Sequence, residues 1–536
     1  MTFAPGELAP QDAEGHLWDV IVIGAGAGGS TAGFNLARLG RSVLFVERGK
    51  LLHRDPTLVR GDRFSWTGDP ETALAHGWWP HRFYYRADED RAPVPTRPPI
   101  GAGAGGSTAH FNAVLERFRP QDFTPRRFFK DISDTSLPEA WPIHYEEMEP
   151  FYNRAERLYR VRGTQDPLSL SSANLLEPPP ASERELAVFS GLKGAGLNPY
   201  RIHSALERLP GCVGCPGVLC ARGCRNDAAR ICLYPALDEY GAKILTNCRA
   251  IRFEERARSV ERVVCDWNRR RVVLRARVFI LAANAFLTPA LLQRSASERF
   301  PNGLANSSGL VGHNLMMHAI SHLFARLKRT SQVSDFNMNH GVSLNDFYIY
   351  DATKLGNVHA HPIVTREELT TFLIQYYQGI NRLPGRLLSR IAAIGSILSR
   401  PWTVFAAILE DLPYYANYVA AKPGSEEDIV YTYRYPDELR RRGQMMINGF
   451  ERTAGQRFDV RPLQPVGTLN GGHVCGTCRF GDDPRTSVLD RDNRAHDLDN
   501  LYVLDASFFP SSGGINPSLT IIANSLRATD KIAQRL

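Results

Sequence analysis

The chain has 536 residues, of which 43% are hydrophobic and 22% charged, with a formal net charge of +8. That length needs two to four domains or one large domain with insertions, and the composition excludes a disordered or fibrous chain. The basic residues are scattered with no run, which argues against nucleic acid as a partner, and no stretch of about 18 apolar residues is present to span a membrane.

Residues 1–17 hold no basic segment followed by an apolar one, so no secretory signal is expected and a cytoplasmic location follows by default. Val20 to Ile23 then reads as a buried parallel strand, followed at once by glycines in GxGxxG order at Gly24, Gly26 and Gly29. Helical character from Ser30 to Leu39 leads to a second β-rich run, Ser42 to Val46, which ends in Glu47. In such a βαβ unit the first glycine makes the tight turn, the second admits a pyrophosphate, and the third lets helix and strand pack closely. Glu47 stands where a carboxylate accepts hydrogen bonds from a ribose diol and repels a 2′-phosphate, which disfavours NADP. The motif indicates a dinucleotide and does not separate FAD from NAD.

The string GAGAGGSTA recurs at Gly101 to Ala109, but Pro93 to Pro99 before it is proline-rich, so a loop rich in backbone amides is expected and not a second nucleotide unit. Of nine cysteines, Cys212, Cys215, Cys220 and Cys224, with Cys232 after them, crowd into a loop at 212–232. Such spacing suits metal ligation by thiolates; zinc and an iron–sulfur cluster are both compatible, and reduced structural thiols are the alternative. Phe279 to Pro289 reads as a buried strand, a small-residue turn and a helix start. The aromatic stretches Phe347 to Tyr350 and Tyr376-Tyr377 suit either a sugar ring or core packing. Leu387 to Leu409 reads as an amphipathic core helix, with a membrane surface or a small partner subunit as the alternative. Near the C-terminus stand Gly472-His473-Val474-Cys475-Gly476-Thr477-Cys478-Arg479, a β-rich run at Asn500 to Asp505, and Gly513 to Ile521 containing Asn516-Pro517-Ser518-Leu519-Thr520. Cys475 and Cys478 are expected to line the fold.

These C-terminal segments, with Gly105 to Asn112 and Arg117 to Phe123, resemble the glucose-methanol-choline family of oxidoreductases, whose landmarks run over nearly the whole chain. Gly309 to Leu315 is a further landmark. The pattern is nearest to the sugar-dehydrogenase and pyranose-oxidase branches, and Ser307 to Gly312 and Gly481 to Asp490 resemble aminoglycoside-pathway oxidases. The resemblance implies an α/β fold, α+β overall. A Rossmann-like FAD domain would comprise 17–129, 225–319 and 461–536, and a substrate domain of antiparallel sheet and helices 130–224 and 320–460. It implies FAD as cofactor, with Gly105, Gly106, Ser107, His110 and Asn112 in the flavin-edge loop and His110 either bonded covalently to the flavin or merely beside it. Asp505 would contact the FAD chain, and amides near Ile515 and Asn516 the flavin pyrimidine.

By the same resemblance His473 is the base and Asn516 holds the substrate oxygen, while His318 is structural. A base near neutral pKa eases hydride loss from a carbinol carbon, and an amide dipole stabilises the developing alkoxide without titrating. The implied reaction is oxidation of a sugar, glycoside, aminosugar or polyol hydroxyl by hydride transfer to flavin, with oxygen or a redox partner as acceptor. In the related dehydrogenase branch a cysteine-rich segment holds a three-iron cluster. An electron-relaying subunit with an iron–sulfur cluster is therefore the alternative function.

Overall fold

The computed structural model describes residues 4–54, 73, 77–81, 83–96, 99–209, 212, 217, 219, 220, 222–328, 341–360, 385–398, 401–463 and 467–536. The sequence is read correctly at its start: Leu17–Ile23 is a strand, Ala27–Arg38 a helix, and Val43–Val46 the next strand. Five parallel strands lie in the order Lys243–Leu245, Val43–Val46, Leu17–Ile23, Arg270–Leu281, Leu501–Val503. Apart from the exposed Leu17 at a strand end, their apolar side chains are largely buried on both faces, as a parallel sheet covered by helices requires. Arg270–Leu281 is long enough to leave this sheet at its start and pair antiparallel with Ser259–Trp267, which pairs in turn with Cys248–Arg256.

Two glycines of the first loop are fixed by sterics. Gly24 has φ +97°, and a Cβ on it would lie 2.5 Å from the Ala282 carbonyl oxygen; a Cβ on Gly29 would lie 2.0 Å from the Gly24 carbonyl oxygen. The helix that follows packs against the C-terminal helix Ser518–Arg535, and Asn35 Nδ2 donates to Thr529 Oγ1 across the contact at 2.9 Å.

A second sheet is antiparallel, in the order Phe458–Pro462, Ala319–Leu327, Thr403–Leu409, Val358–Ala360, Val342–Leu344, Tyr200–Arg201. The mixed α/β architecture expected from the sequence is thus present. Thr403–Leu409 is buried at every position, which corrects the reading of 387–409 as one helix. The chain instead ends a helix, Gly385–Leu398, and enters a central strand after Pro401. An unbroken apolar run fits a doubly covered strand as well as a helix, and Pro401 disfavours helical backbone at the residue before it. Val94–Thr96, inside the proline-rich stretch, is an edge strand, where Pro95 interrupts no central ladder. The second glycine run is a turn and a short 3₁₀ helix, Gly106–Ala109, clasped to the first loop by Gly105 N–H donating to the Ala25 carbonyl at 2.9 Å.

Candidate active site

Both glycine loops face one cavity of about 1320 Å³, open solvent included, which runs between the parallel sheet and the C-terminal segments. Gly24, Gly26 and Gly28 line it with Gly101, Gly106 and Ser107, and so do Glu47 and Asp505. The helix Ala27–Arg38 starts here at Gly26 with no side-chain cap, so its first N–H groups are left to an anion such as a pyrophosphate. Glu47 is buried, accepting from the N–H groups of Ala25 at 2.9 Å, Gly49 at 2.9 Å and Gly103 at 3.0 Å. A carboxylate has about four acceptor sites, so one remains for a ribose hydroxyl. Asp505 is equally tied down: it accepts from Asn284 N–H at 3.0 Å and Ser507 N–H at 2.8 Å, and burial raises its pKa. These residues fit a bound dinucleotide.

At the other end, Gly472 and Val474 line the cavity on either side of His473, and Pro517 and Ser518 line it just after Asn516. The Nδ1 atoms of His473 and His318 lie 2.9 Å apart, and His318 Nε2 lies 2.8 Å from the Gly513 carbonyl and 3.2 Å from that of Ser512. This geometry assigns the protons. His318 Nε2 faces only acceptors, so it carries hydrogen and donates to them. Burial pushes His318 down to about 4, so the ring is neutral and its Nδ1 is a bare acceptor. His473 must then donate from Nδ1. Burial, with His318 beside it, holds His473 well below the usual histidine range, so that ring is neutral too and its Nε2 keeps a free lone pair.

The loop that carries Asn516 is held from several sides. Tyr348 OH accepts from Gly514 N–H at 3.1 Å and donates to Asp122 at 2.7 Å, while Asn357 N–H donates to the Gly514 carbonyl at 2.8 Å. Behind Tyr348, Lys354 Nζ lies 2.6 Å from both Asp122 and Glu410, all three side chains fully buried. Burial opposes the charge on Lys354, yet the two carboxylates hold its pKa above the usual value. Asn516 Oδ1 is buried with no partner among the described residues, so that acceptor is not consumed by the fold. Ile515 is buried beside it and lines a smaller polar cavity with Glu116, Asp166 and His203.

Models of the GMC oxidoreductase family match residues 137–320 and 450–525. Over 99% of its length the chain is 30% identical to paromamine 6'-oxidase of Streptomyces fradiae, covering 95% of that protein. It belongs to the GMC oxidoreductase family. A further relative is the fructose dehydrogenase large subunit of Gluconobacter japonicus, 26% identical over 97% of this chain and 98% of that one. Among solved structures, pyridoxine 4-oxidase from Mesorbium loti superposes with a TM-score of 0.63 at 17% identity, covering 96% of this chain and 99% of the other. The chain is an FAD-dependent alcohol oxidoreductase by family, and its fold is that of its structural neighbours.

Not every residue expected at the site of this GMC oxidoreductase is found there. His110 does not line the cavity. Its ring stacks on Trp78 with centroids 4.1 Å apart, its Nε2 lies 3.2 Å from the Gly77 carbonyl, and burial with the Arg225 cation pushes it down to about 3. Asn112 is exposed and also off the wall. Gly105 lies behind Gly106, its amide spent on Ala25.

The cysteine loop is described only in part. Cys212 is half-buried, Cys220 and Cys224 are buried, and Cys215 lies outside the described residues. Cys224 N–H donates to Cys220 Sγ at 3.2 Å, and burial with Cys212 nearby pushes the Cys224 thiol up to about 11. Among the described residues no group of His, Cys, Asp or Glu is arranged to hold a metal. The iron–sulfur and zinc readings, and the electron-relay subunit built on them, are not supported. Cys475 and Cys478 are buried in the core. Tyr376 and Tyr377 lie outside the described residues, while Phe347 and Tyr348 are core side chains. Among the described residues no helix is long and apolar enough to cross a membrane.

Sequence reading missed two elements. One is that His318, expected to be structural, meets His473 directly, Nδ1 to Nδ1 at 2.9 Å. The Asp122–Lys354–Glu410 triad gave no signal, since each member alone resembles an ordinary surface charge.

Proposed function

We propose that this protein oxidises a CH–OH group of a sugar-type substrate to the carbonyl, with the aminosugar glycosides as the leading class. The Nδ1-to-Nδ1 contact between His318 and His473 carries the reading, because it leaves His473 Nε2 as a neutral base. FAD, when bound, supplies the acceptor for two electrons, and Gly24, Gly26, Glu47 and Asp505 would hold it. His473 takes the hydroxyl proton, and the electron pair left on oxygen becomes the carbonyl bond as hydride leaves the same carbon. The imidazolium so formed donates from Nδ1 to the bare Nδ1 of His318, a charge-assisted bond stronger than its neutral precursor. Asn516 donates to the substrate oxygen while negative charge builds there.

The substrate class rests on the relatives. Paromamine 6'-oxidase and the 6'''-hydroxyparomomycin C oxidase of Streptomyces lividus both match over 99% of this chain. The test is anaerobic mixing of FAD-loaded protein with paromamine, fructose or 2-methyl-1,2-propanediol, following loss of oxidised-flavin absorbance. Paromamine is expected to reduce the flavin fastest, and His473→Gln to slow reduction about a hundredfold or more without loss of flavin. If no alcohol in this set bleaches the flavin, or H473Q reacts at the wild-type rate, the proposal fails.

A further inference from the structure

The end of the large cavity beyond Glu47 is walled by a turn from a distant part of the chain. Strands Tyr418–Ala421 and Ile429–Thr432 pair antiparallel, and the turn between them, residues 422–428, brings Glu426 and Glu427 to the cavity wall with Arg48, Arg249 and Arg294. The base of this hairpin and its tip are held by different forces. At the base Val419 and Ile429 are buried in an apolar cluster, and Gln293 donates to the Val419 carbonyl at 3.0 Å and accepts from the Ala421 N–H at 2.7 Å. In the tip no apolar side chain is buried.

Charge holds the tip instead. Glu427 lies 3.3 Å from Arg48, 2.6 Å from His81 and 3.4 Å from Arg249, and Glu426 lies 3.0 Å from Arg249 and 2.8 Å from Arg271. Arg294 donates to the carbonyls of Ser425 at 3.3 Å and Asp428 at 2.7 Å. Asp266 shares Arg249 and Arg271 at 3.9 and 3.6 Å, and Lys422 pairs with Asp428 at 3.4 Å. The bond from His81, with the Arg48 and Arg249 cations, holds Glu427 down to about 2, so its carboxylate stays charged across the ordinary pH range. These pairs are not sealed from water, for Glu427 is 29% exposed and Glu426 47%. Half-exposed ion pairs are individually weak and are screened by salt, whereas the apolar base is not. A tip held in this way opens while its base stays docked.

We propose that the 422–428 tip is a gate on the adenosine end of FAD, which enters and leaves the cavity when the tip swings away from Arg48, Arg249 and Arg294. The inference rests on the reading of this cavity as an FAD site with the ribose at Glu47. A gate held by contacts within the protein obstructs arrival and departure alike, so loosening it quickens both and leaves the equilibrium affinity nearly unchanged. A residue that merely touches FAD alters release and leaves uptake as it was.

The test follows flavin fluorescence during FAD uptake by the full-length apoprotein and FAD release from the loaded protein, in wild type and in E426Q/E427Q. Both rates are expected to rise about tenfold in the variant, with Kd within about threefold of wild type. Uptake of one FAD per chain shows that the variant folds. Raising salt from about 0.1 to 1 M should also quicken uptake by the wild type, the opposite of what screening the attraction between anionic FAD and its cavity does, and the variant should lose most of this response. The gate is overturned if the variant exchanges FAD at wild-type rates, or if release alone quickens, which would make the two glutamates direct FAD contacts. It is overturned equally if salt slows wild-type uptake or leaves it unchanged, a measurement that stands even where the variant does not fold. A wild-type chain that takes up no FAD overturns the reading of the cavity itself, and the gate with it.

Discussion

Tyr348 holds Gly514: its hydroxyl accepts the Gly514 N–H at 3.1 Å while donating to Asp122 at 2.7 Å. Asp122 in turn is neutralised by Lys354, so a buried ion pair fixes a phenol that fixes the loop two residues before Asn516. Tyr348→Phe removes both bonds and leaves a buried amide and a buried carboxylate short of a partner. The expected cost is about 1–3 kcal/mol of stability, measured by denaturant unfolding. Turnover should fall about tenfold with unchanged flavin content, because a displaced amide stabilises the alkoxide less well. A variant that lost stability but kept full turnover would show that Tyr348 supports the fold alone.

The proton assignment at His318 makes a second prediction. His318→Phe removes the acceptor that keeps hydrogen on Nδ1 of His473, so the base populates the wrong tautomer. We expect kcat to fall about a hundredfold with KM changed far less. The pH profile separates this from simple loosening. In the wild type burial depresses His473, so the acid limb of kcat/KM lies below the ordinary histidine value of about 6.5. His318→Phe takes away the acceptor of the His473 imidazolium and leaves burial unopposed, so that limb should move further down. An acid limb already at the ordinary histidine value in the wild type would contradict the assignment.

How far the sequence revealed this site depends on how local each constraint is. The turn at Gly24, the close packing at Gly29 and the acid at Glu47 act within one βαβ unit, so spacing alone exposed them. His473 and Asn516 were legible through resemblance, each inside its own short motif. Asp122, Lys354 and Glu410 meet only because distant segments fold together, and nothing in their neighbours along the chain marks them. The apolar run at 403–409 was misassigned for a different reason, since burial on both faces erases the alternation that identifies a strand.

His110 lies off the cavity wall with its ring stacked on Trp78. A bond to the flavin would require the ring to leave that stack, so noncovalent FAD is expected. Acid precipitation should release the flavin to the supernatant, and colour kept in the pellet but lost in His110→Ala would reverse this conclusion.

For the cysteine loop, the prediction concerns metal content. Protonated Cys224 packs as a small buried apolar residue. Cys224→Ser should keep wild-type turnover and flavin content, at a stability cost below about 2 kcal/mol. Metal analysis of the purified wild type should find iron and zinc far below one per chain. Stoichiometric iron with acid-labile sulfide, lost in C224S, would restore the relay reading.

Asp411 gives a pH signature in stability. It accepts from Met317 N–H and Tyr433 OH, each at 2.8 Å, and burial pushes it up to about 8. The unfolded chain releases this proton near 3.9, so between those values the folded state binds one proton more than the unfolded state. Stability from this group is therefore greatest at low pH and falls as pH rises toward 8, by up to about 1.4 kcal/mol per pH unit. The two active-site histidines act in the opposite direction but only below about 6.5, where the unfolded chain protonates and the folded one resists. Between pH 6.5 and 8 they are silent, and the difference between wild type and Asp411→Asn isolates the carboxyl, since the amide keeps an acceptor for both donors and cannot titrate. Melting temperatures across that window should decline more steeply in the wild type than in D411N. Equal slopes would mean that Asp411 is already ionised in the folded protein, its charge carried by Tyr433, the Met317 amide and Arg442 nearby.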